Sequence, residues 1–181
     1  NKFNPVFLKD NPLAIYVGED RITKGNWENN YGDYFYILCG MAGYFDITGG
    51  NALEVFRTKQ DINSGAFSFR PSYHIYTGDP KISAYRWISK LEETSQEFLI
   101  NPKTGVGRSS NWDDHGETYG LGKGPDLLLD ISLPEEGLYL LSMYFLNDPN
   151  YYEPNRQYTV YIQDKQTGNI LSATEVKDFV S

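Results

Sequence analysis

The chain has 181 residues, 40% hydrophobic and 22% charged, with 16 basic against 24 acidic side chains for a net charge of −8. That length supports one domain over 1–181 with a substantial core, and that composition excludes a disordered tail. The excess of acid argues against nucleic acid and anionic membranes as partners, and leaves neutral glycans, cationic ligands and calcium open.

No apolar run approaches the ~20 residues of a membrane-spanning helix, so membrane insertion is not expected. The single cysteine, Cys39, sits in an apolar run and reads as a small core residue. The opening NKFNPVF lacks a methionine, a basic leader region and an apolar one. It reads as a mature product or a domain excised from a larger protein.

In chain order, strand-length runs between turn signals are expected at 13–18 (LAIYVG), 34–40 (YFYILCG), 43–49 (GYFDITG), 53–58 (LEVFRT) and 67–71 (FSFRP). The segment 81–93, KISAYRWISKLEE, fits a helical face in part. It fits strand alternation through Tyr85, Trp87, Ser89 and Leu91 as well, and strand followed by loop is the preferred reading. Another short strand is expected at 97–100 (EFLI).

The clearest pattern is 126–133, DLLLDISL, where Leu127, Leu129, Ile131 and Leu133 alternate with Asp126, Leu128, Asp130 and Ser132. Period two over that length is a half-buried strand. A turn at 134–137 leads into 138–146, LYLLSMYFL, which is apolar on both faces and is expected to be a central strand. The last element, 157–176, reads as a hairpin whose turn lies within Asp164–Asn169, with Gly168 free to take positive φ. Strands without interleaved long helices make the expected fold class all-β, an antiparallel, jelly-roll-like β-sandwich.

The stretch 111–126, NWDDHGETYGLGKGPD, has no such rhythm. From Gly105 to Pro125 it reads as a long connection, and connections beyond about 12–15 residues are usually functional or disordered. Trp112 and Tyr119 argue for order. Asp113, Asp114 and Glu117, beside His115, form a candidate cation set, and calcium is the ion such oxygens prefer. The spacing is not that of an EF-hand, and one histidine does not make a zinc site. The favoured alternative is that the carboxylates cap backbone N–H groups in the loop, so that no cofactor is required.

Nothing in the chain identifies an activated catalytic group. His74 and His115 are the two histidines, and no nucleophile elbow, zinc-helix motif or phosphate loop occurs. The expectation is therefore a non-enzyme.

Aromatics are the main deviation, at 15% of the chain with 15 tyrosines, 10 phenylalanines and 3 tryptophans. Sugar C–H faces stack on such rings while sugar hydroxyls need Asp, Asn, Glu, Gln or Arg. Trp27, Trp87, Trp112 and the pair Tyr151–Tyr152 all lie beside polar, turn-prone residues, and they are the candidate ligand-binding set. For each tryptophan, burial with a hydrogen-bonded ring nitrogen is the competing and commoner arrangement.

Thr23-x-Gly25-Asn26-Trp27 followed by Tyr31-Gly32, and Trp112-Asp113-Asp114-x-Gly116-Glu117 before Gly124-Pro125-Asp126, carry a resemblance. They resemble β-sandwich modules of large secreted and envelope proteins of planctomycete-like and verrucomicrobial bacteria. The likeness covers much of 20–179 and is poor from 50 to about 106. It implies a carbohydrate-binding-module-like sandwich in an extracellular or cell-envelope setting, flanked by neighbouring domains of a larger chain. It also implies a second role for the 111–126 stretch, as a clasp in which Trp112 plugs one end of the sandwich.

Three functions follow as expectations. The first is a non-catalytic module that binds a polysaccharide or other glycan and targets or tethers its parent. The second is a structural or protein-interaction module of an envelope protein. The third, a glycan-active enzyme, needs two facing carboxylates in a cleft.

Overall fold

The computed structural model describes residues 12–51, 71–89, 98–115, 124–134, 136–147 and 156–179. Expected strands 53–58 and, but for Pro71, 67–71 lie outside these residues, as do Glu117, Tyr119, Tyr151 and Tyr152. Within the described residues the chain forms ten strands: β1 (Tyr36–Leu38), β2 (Ile47–Gly49), β3 (Ser72–Thr77), β4 (Tyr85–Ile88), β5 (Ile100–Asn101), β6 (Val106–Gly107), β7 (Ser110–Asp113), β8 (Leu127–Ser132), β9 (Tyr158–Gln163) and β10 (Ile170–Val176). The protein is all-β, built from antiparallel pairs β1–β2, β3–β8, β4–β7, β5–β6 and β9–β10. No helix among the described residues is long and apolar enough to cross a membrane.

The chain divides into two compact units, one spanning Arg21–Tyr144 and the other joining Asn1–Asp20 with Phe145–Ser181. In the second unit the expected hairpin forms, with β9 and β10 paired from Tyr158↔Val176 to Ile170↔Gln163. Its turn is held by Asp164, whose carboxylate accepts the Gln166 N–H at 3.0 Å and the Thr167 N–H at 3.3 Å. Gly168 takes φ +74°, a conformation that costs a glycine little, and its N–H bonds the Asp164 carbonyl at 2.8 Å. Tyr158 and Phe179 stack at 6.1 Å, and Phe145 closes the trio at 5.7 Å from Tyr158.

In the larger unit the core gathers on Trp27, Leu38 and Met41, packed by Tyr31, Tyr36, Ile47, Ile88 and Leu99. The strand β8 alternates as its sequence requires. Leu127, Leu129 and Ile131 stand opposite Thr77, Ile75 and Tyr73 of β3, and Ile75 and Thr77 are buried. β3 itself is absent from the expected strands, although Tyr73, Ile75 and Thr77 carry the same period-two signal.

Three expectations fail in informative ways. Residues 13–18 form no strand, and Leu13, Ile15, Tyr16 and Val17 are exposed. Residues 138–146, expected as a central strand, also form none, with Leu138, Leu140, Leu141 and Met143 exposed. Apolar pattern measures the tendency to be buried, whereas a strand also requires a ladder partner. Conversely, the expected long connection from Gly105 to Pro125 contains β6 and β7, because β7 finds its partner in β4.

Candidate functional site

The site is organised by a carboxylate the sequence reading passed over. Asp46, just before β2, has a side chain only 1% exposed. Its Oδ1 accepts from the Gly40 N–H at 2.7 Å, Arg86 Nε at 3.0 Å and Trp112 Nε1 at 3.0 Å, and its Oδ2 accepts from the Tyr73 hydroxyl at 2.7 Å. A buried carboxylate is tolerated only when its oxygens are satisfied and its charge is balanced. Four donors, one of them cationic, meet that requirement. They come from β3, β4, β7 and the β1–β2 turn, so one side chain ties these elements together.

Gly40 makes the approach feasible. Its φ is +63°, and an added Cβ would stand 2.8 Å from the Trp87 carbonyl and 3.0 Å from that of Asn111. Only glycine lets this turn lie against the β4–β7 backbone while its N–H reaches Asp46.

The clamp polarises two neighbours. Burial first, with the Asp46 charge adding, pushes the Cys39 thiol from 9.0 up to about 11. Burial, then the hydrogen bond to Asp46, raises the Tyr73 hydroxyl from 10.0 to about 12. Both shifts favour the neutral form in the folded state. Their stabilisation is therefore complete below about pH 9 and is lost as pH rises through 11 to 12. Denaturation midpoints are expected to be flat from pH 7 to 8.5 and to fall steeply between pH 9 and 12. Cys39→Ser should remove the earlier part of that fall. A midpoint that held to pH 12 would contradict the burial of both groups.

The β4–β7 ribbon has two faces. Register pairs Arg86 with Trp112 and Ile88 with Ser110 on one, and Tyr85 with Asp113 and Trp87 with Asn111 on the other. The first is turned inward by the clamp. On the second, Tyr85 and Trp87 are 37% and 39% exposed, so each ring keeps a face toward solvent. They are two residues apart on one strand, about 7 Å along it. His115 adds a third ring, its centroid 5.3 Å from that of Tyr85. Asn111 and Asp113 stand directly across, a carboxamide and a carboxylate beside aromatic faces.

Among the residues singled out from sequence, the ribbon brings Trp87, Trp112 and Asp113 together. Trp87 is on the outer face, whereas the Trp112 ring nitrogen is committed to Asp46 and its ring stacks on Tyr73 at 6.2 Å. Trp27 lies elsewhere, 8% exposed, with Nε1 donating to the Ile100 carbonyl at 2.9 Å and its ring edge-on to Tyr36. Asp113 Oδ1 accepts the His115 N–H at 2.6 Å, an Asx turn in which a carboxylate satisfies the loop backbone. Asp114 follows it. Among the described residues no three His, Cys, Asp or Glu side chains group as a metal site.

Sequence reasoning missed Asp46, Arg86, Tyr73 and Tyr85 as parts of one arrangement. A signal was present for the first: Asp46 is the one charged residue between Tyr34 and Leu53. A lone acid inside an apolar strand-turn-strand run is expected to have a buried partner. Arg86 in AYRWI has the same character.

Compared with family models, curated proteins and solved structures, the chain finds no match in any of the three.

Proposed function

We propose that the protein is a non-catalytic carbohydrate-binding module, of jelly-roll-like β-sandwich architecture, that works outside the cell or in the envelope as part of a larger chain. The observation that supports this best is the outer face of the β4–β7 ribbon. Exposed Tyr85 and Trp87, with His115 alongside, supply stacking surfaces, and Asn111 and Asp113 supply hydrogen-bond partners for hydroxyls. A neutral sugar suits this face in an acidic chain better than a uronate or a phosphate. Rigid strands, clamped from behind by Asp46, hold the rings in place before a ligand arrives, which lowers the ordering cost of binding. Calcium, should it join Asp113, Asp114 and Glu117, would order the end of this face.

Affinity electrophoresis against a panel of neutral polysaccharides, with calcium and with chelator, tests the proposal. At least one polysaccharide is expected to retard the protein. Trp87→Ala should abolish retardation, a loss of about 1–3 kcal/mol of stacking by analogy with aromatic–base contacts. Its melting temperature should change little, since exposed side chains contribute little to stability. Tyr151→Ala with Tyr152→Ala is the parallel variant for the other aromatic pair. A panel with no retardation in either condition would remove the glycan reading and leave the structural, protein-interaction module. That second reading is favoured by one observation, the exposed apolar run Leu138–Met143.

A further inference from the structure

An open cleft of about 530 Å³ lies between β3 and the segment leading into β4, lined by His74–Gly78 on one side and by Ile82, Ser83, Ala84 and Arg86 on the other. Its β3 wall has unusual chemistry. The Gly78 N–H bonds the Asp126 carbonyl at 2.8 Å, which sets the parity of the β3–β8 ladder. In that parity Ser72, His74 and Tyr76 exchange backbone bonds with β8, while the N–H and C=O of Ile75 and Thr77 point the other way, into the cleft. Ile75 and Thr77 are 7% and 4% exposed, so these are buried main-chain groups on an open strand edge.

The opposite wall is the matching edge of β4. The Ser89 N–H bonds the Ser109 carbonyl at 2.8 Å, so Tyr85 and Trp87 face β7 and Arg86 faces away from it. Two consecutive strands therefore show each other unpaired edges without bonding. The Thr77 hydroxyl pins the turn at one end, 2.7 Å from the Ile82 carbonyl and 2.9 Å from that of Asp79. Asp46 ties Tyr73 to Arg86 on the buried face. The walls are held apart rather than left loose.

The geometry points to strand addition: the cleft accepts an extended segment, and we propose that the segment is Leu138–Tyr144 of a second copy of this chain. Buried backbone donors and acceptors demand partners, and an inserted strand supplies them at the spacing of a ladder. The chain itself carries a matching strand. Residues 138–146 are apolar and uncharged, carry strand pattern, and form no strand, with Leu138, Leu140, Leu141 and Met143 between 41% and 71% exposed. An uncharged segment enters a cleft walled by Ile75, Ile82, Ala84 and Leu128 without desolvating a charge. Within one copy the segment follows β8 after the connection 133–137, and β8 lies on the side of β3 away from the cleft. A second copy is thus the source. Donor and acceptor are different surfaces, so copies join either by reciprocal exchange into a two-fold dimer or head to tail into longer chains.

Sedimentation velocity over a concentration series tests this on the full chain. Wild type should sediment as a dimer or larger species at high concentration. Ser83→Trp fills the cleft from its exposed rim, and Leu140→Asp places a charge on the donor segment. Both sites are exposed, so circular dichroism should be unchanged in each. Each variant alone should be monomeric. An equimolar mixture should form a one-to-one heterodimer, because the Ser83→Trp chain still donates and the Leu140→Asp chain still accepts. Wild type that stays monomeric overturns the proposal, as does a mixture that fails to associate. Association of either variant alone at the wild-type level overturns it equally.

Discussion

Replacing Asp46 with alanine is expected to destabilise the larger unit by about 3 kcal/mol or more, the cost of breaking a buried, charge-assisted network from one side. The removed carboxylate accepts from four groups, and Arg86, whose side chain is 24% exposed, recovers only part of its hydration afterwards. Trp112 Nε1 and the Tyr73 hydroxyl would also lose their acceptor. Because the four donors belong to separate elements, the loss acts on the union of β3, β4 and β7 rather than on one strand.

Asp46→Asn distinguishes charge from hydrogen bonding. The amide keeps one acceptor oxygen but places an NH₂ group among donors, so it should recover little. A double-mutant cycle with Trp112→Phe, read by urea denaturation, should show coupling on the order of 1 kcal/mol. If Asp46→Ala melted within a degree or two of wild type, the clamp would not hold the ribbon.

The second large effect is expected at Trp27. Truncation to alanine should cost about 3–5 kcal/mol, the range for buried aromatics, and lower the melting temperature on the order of 10 °C. Trp27 is 8% exposed, packs with Leu38 and Met41, and meets the Tyr36 ring at 4.8 Å. Its indole nitrogen reaches across 73 residues of chain to the Ile100 carbonyl, so the ring joins the first turn to β5. Trp27→Phe keeps most of the packing and loses that bond, so it should cost about 1 kcal/mol from the bond itself plus the unfilled volume. Polysaccharide binding by the Phe variant should match wild type, because the outer face of β4–β7 does not include Trp27. A Trp27 variant that lost binding and kept full stability would reverse this assignment.

The two tryptophans flagged from the same motif-like stretches thus have different surroundings, and only contacts separate them. Trp27 and Trp112 both follow an asparagine and precede an acid. One nitrogen donates to a backbone carbonyl in the core and the other to a buried carboxylate. Trp87, whose neighbours Arg86 and Ile88 turn inward, is the tryptophan that keeps a solvent-facing ring on the ribbon. Alternation along YRWI was visible in advance. Which of its two faces would be buried was not, because that choice depends on Asp46, 40 residues away from Arg86.

What the sequence determined by itself is local and periodic. The all-β class, the alternation of β8 and the β9–β10 hairpin with its turn at Gly168 follow from period-two patterning and from turn residues, which act within a few positions. What the tertiary structure decided is pairing across distance. It gave β7 a partner in β4, joined β3 to β8 over 54 residues at Tyr76 and Asp130, and left the equally strand-like runs 13–18 and 138–146 without a ladder. Side-chain pattern encodes how much a segment gains from burial. A strand exists only where a second backbone satisfies its N–H and C=O groups, and which backbone that is depends on the packing of the whole unit.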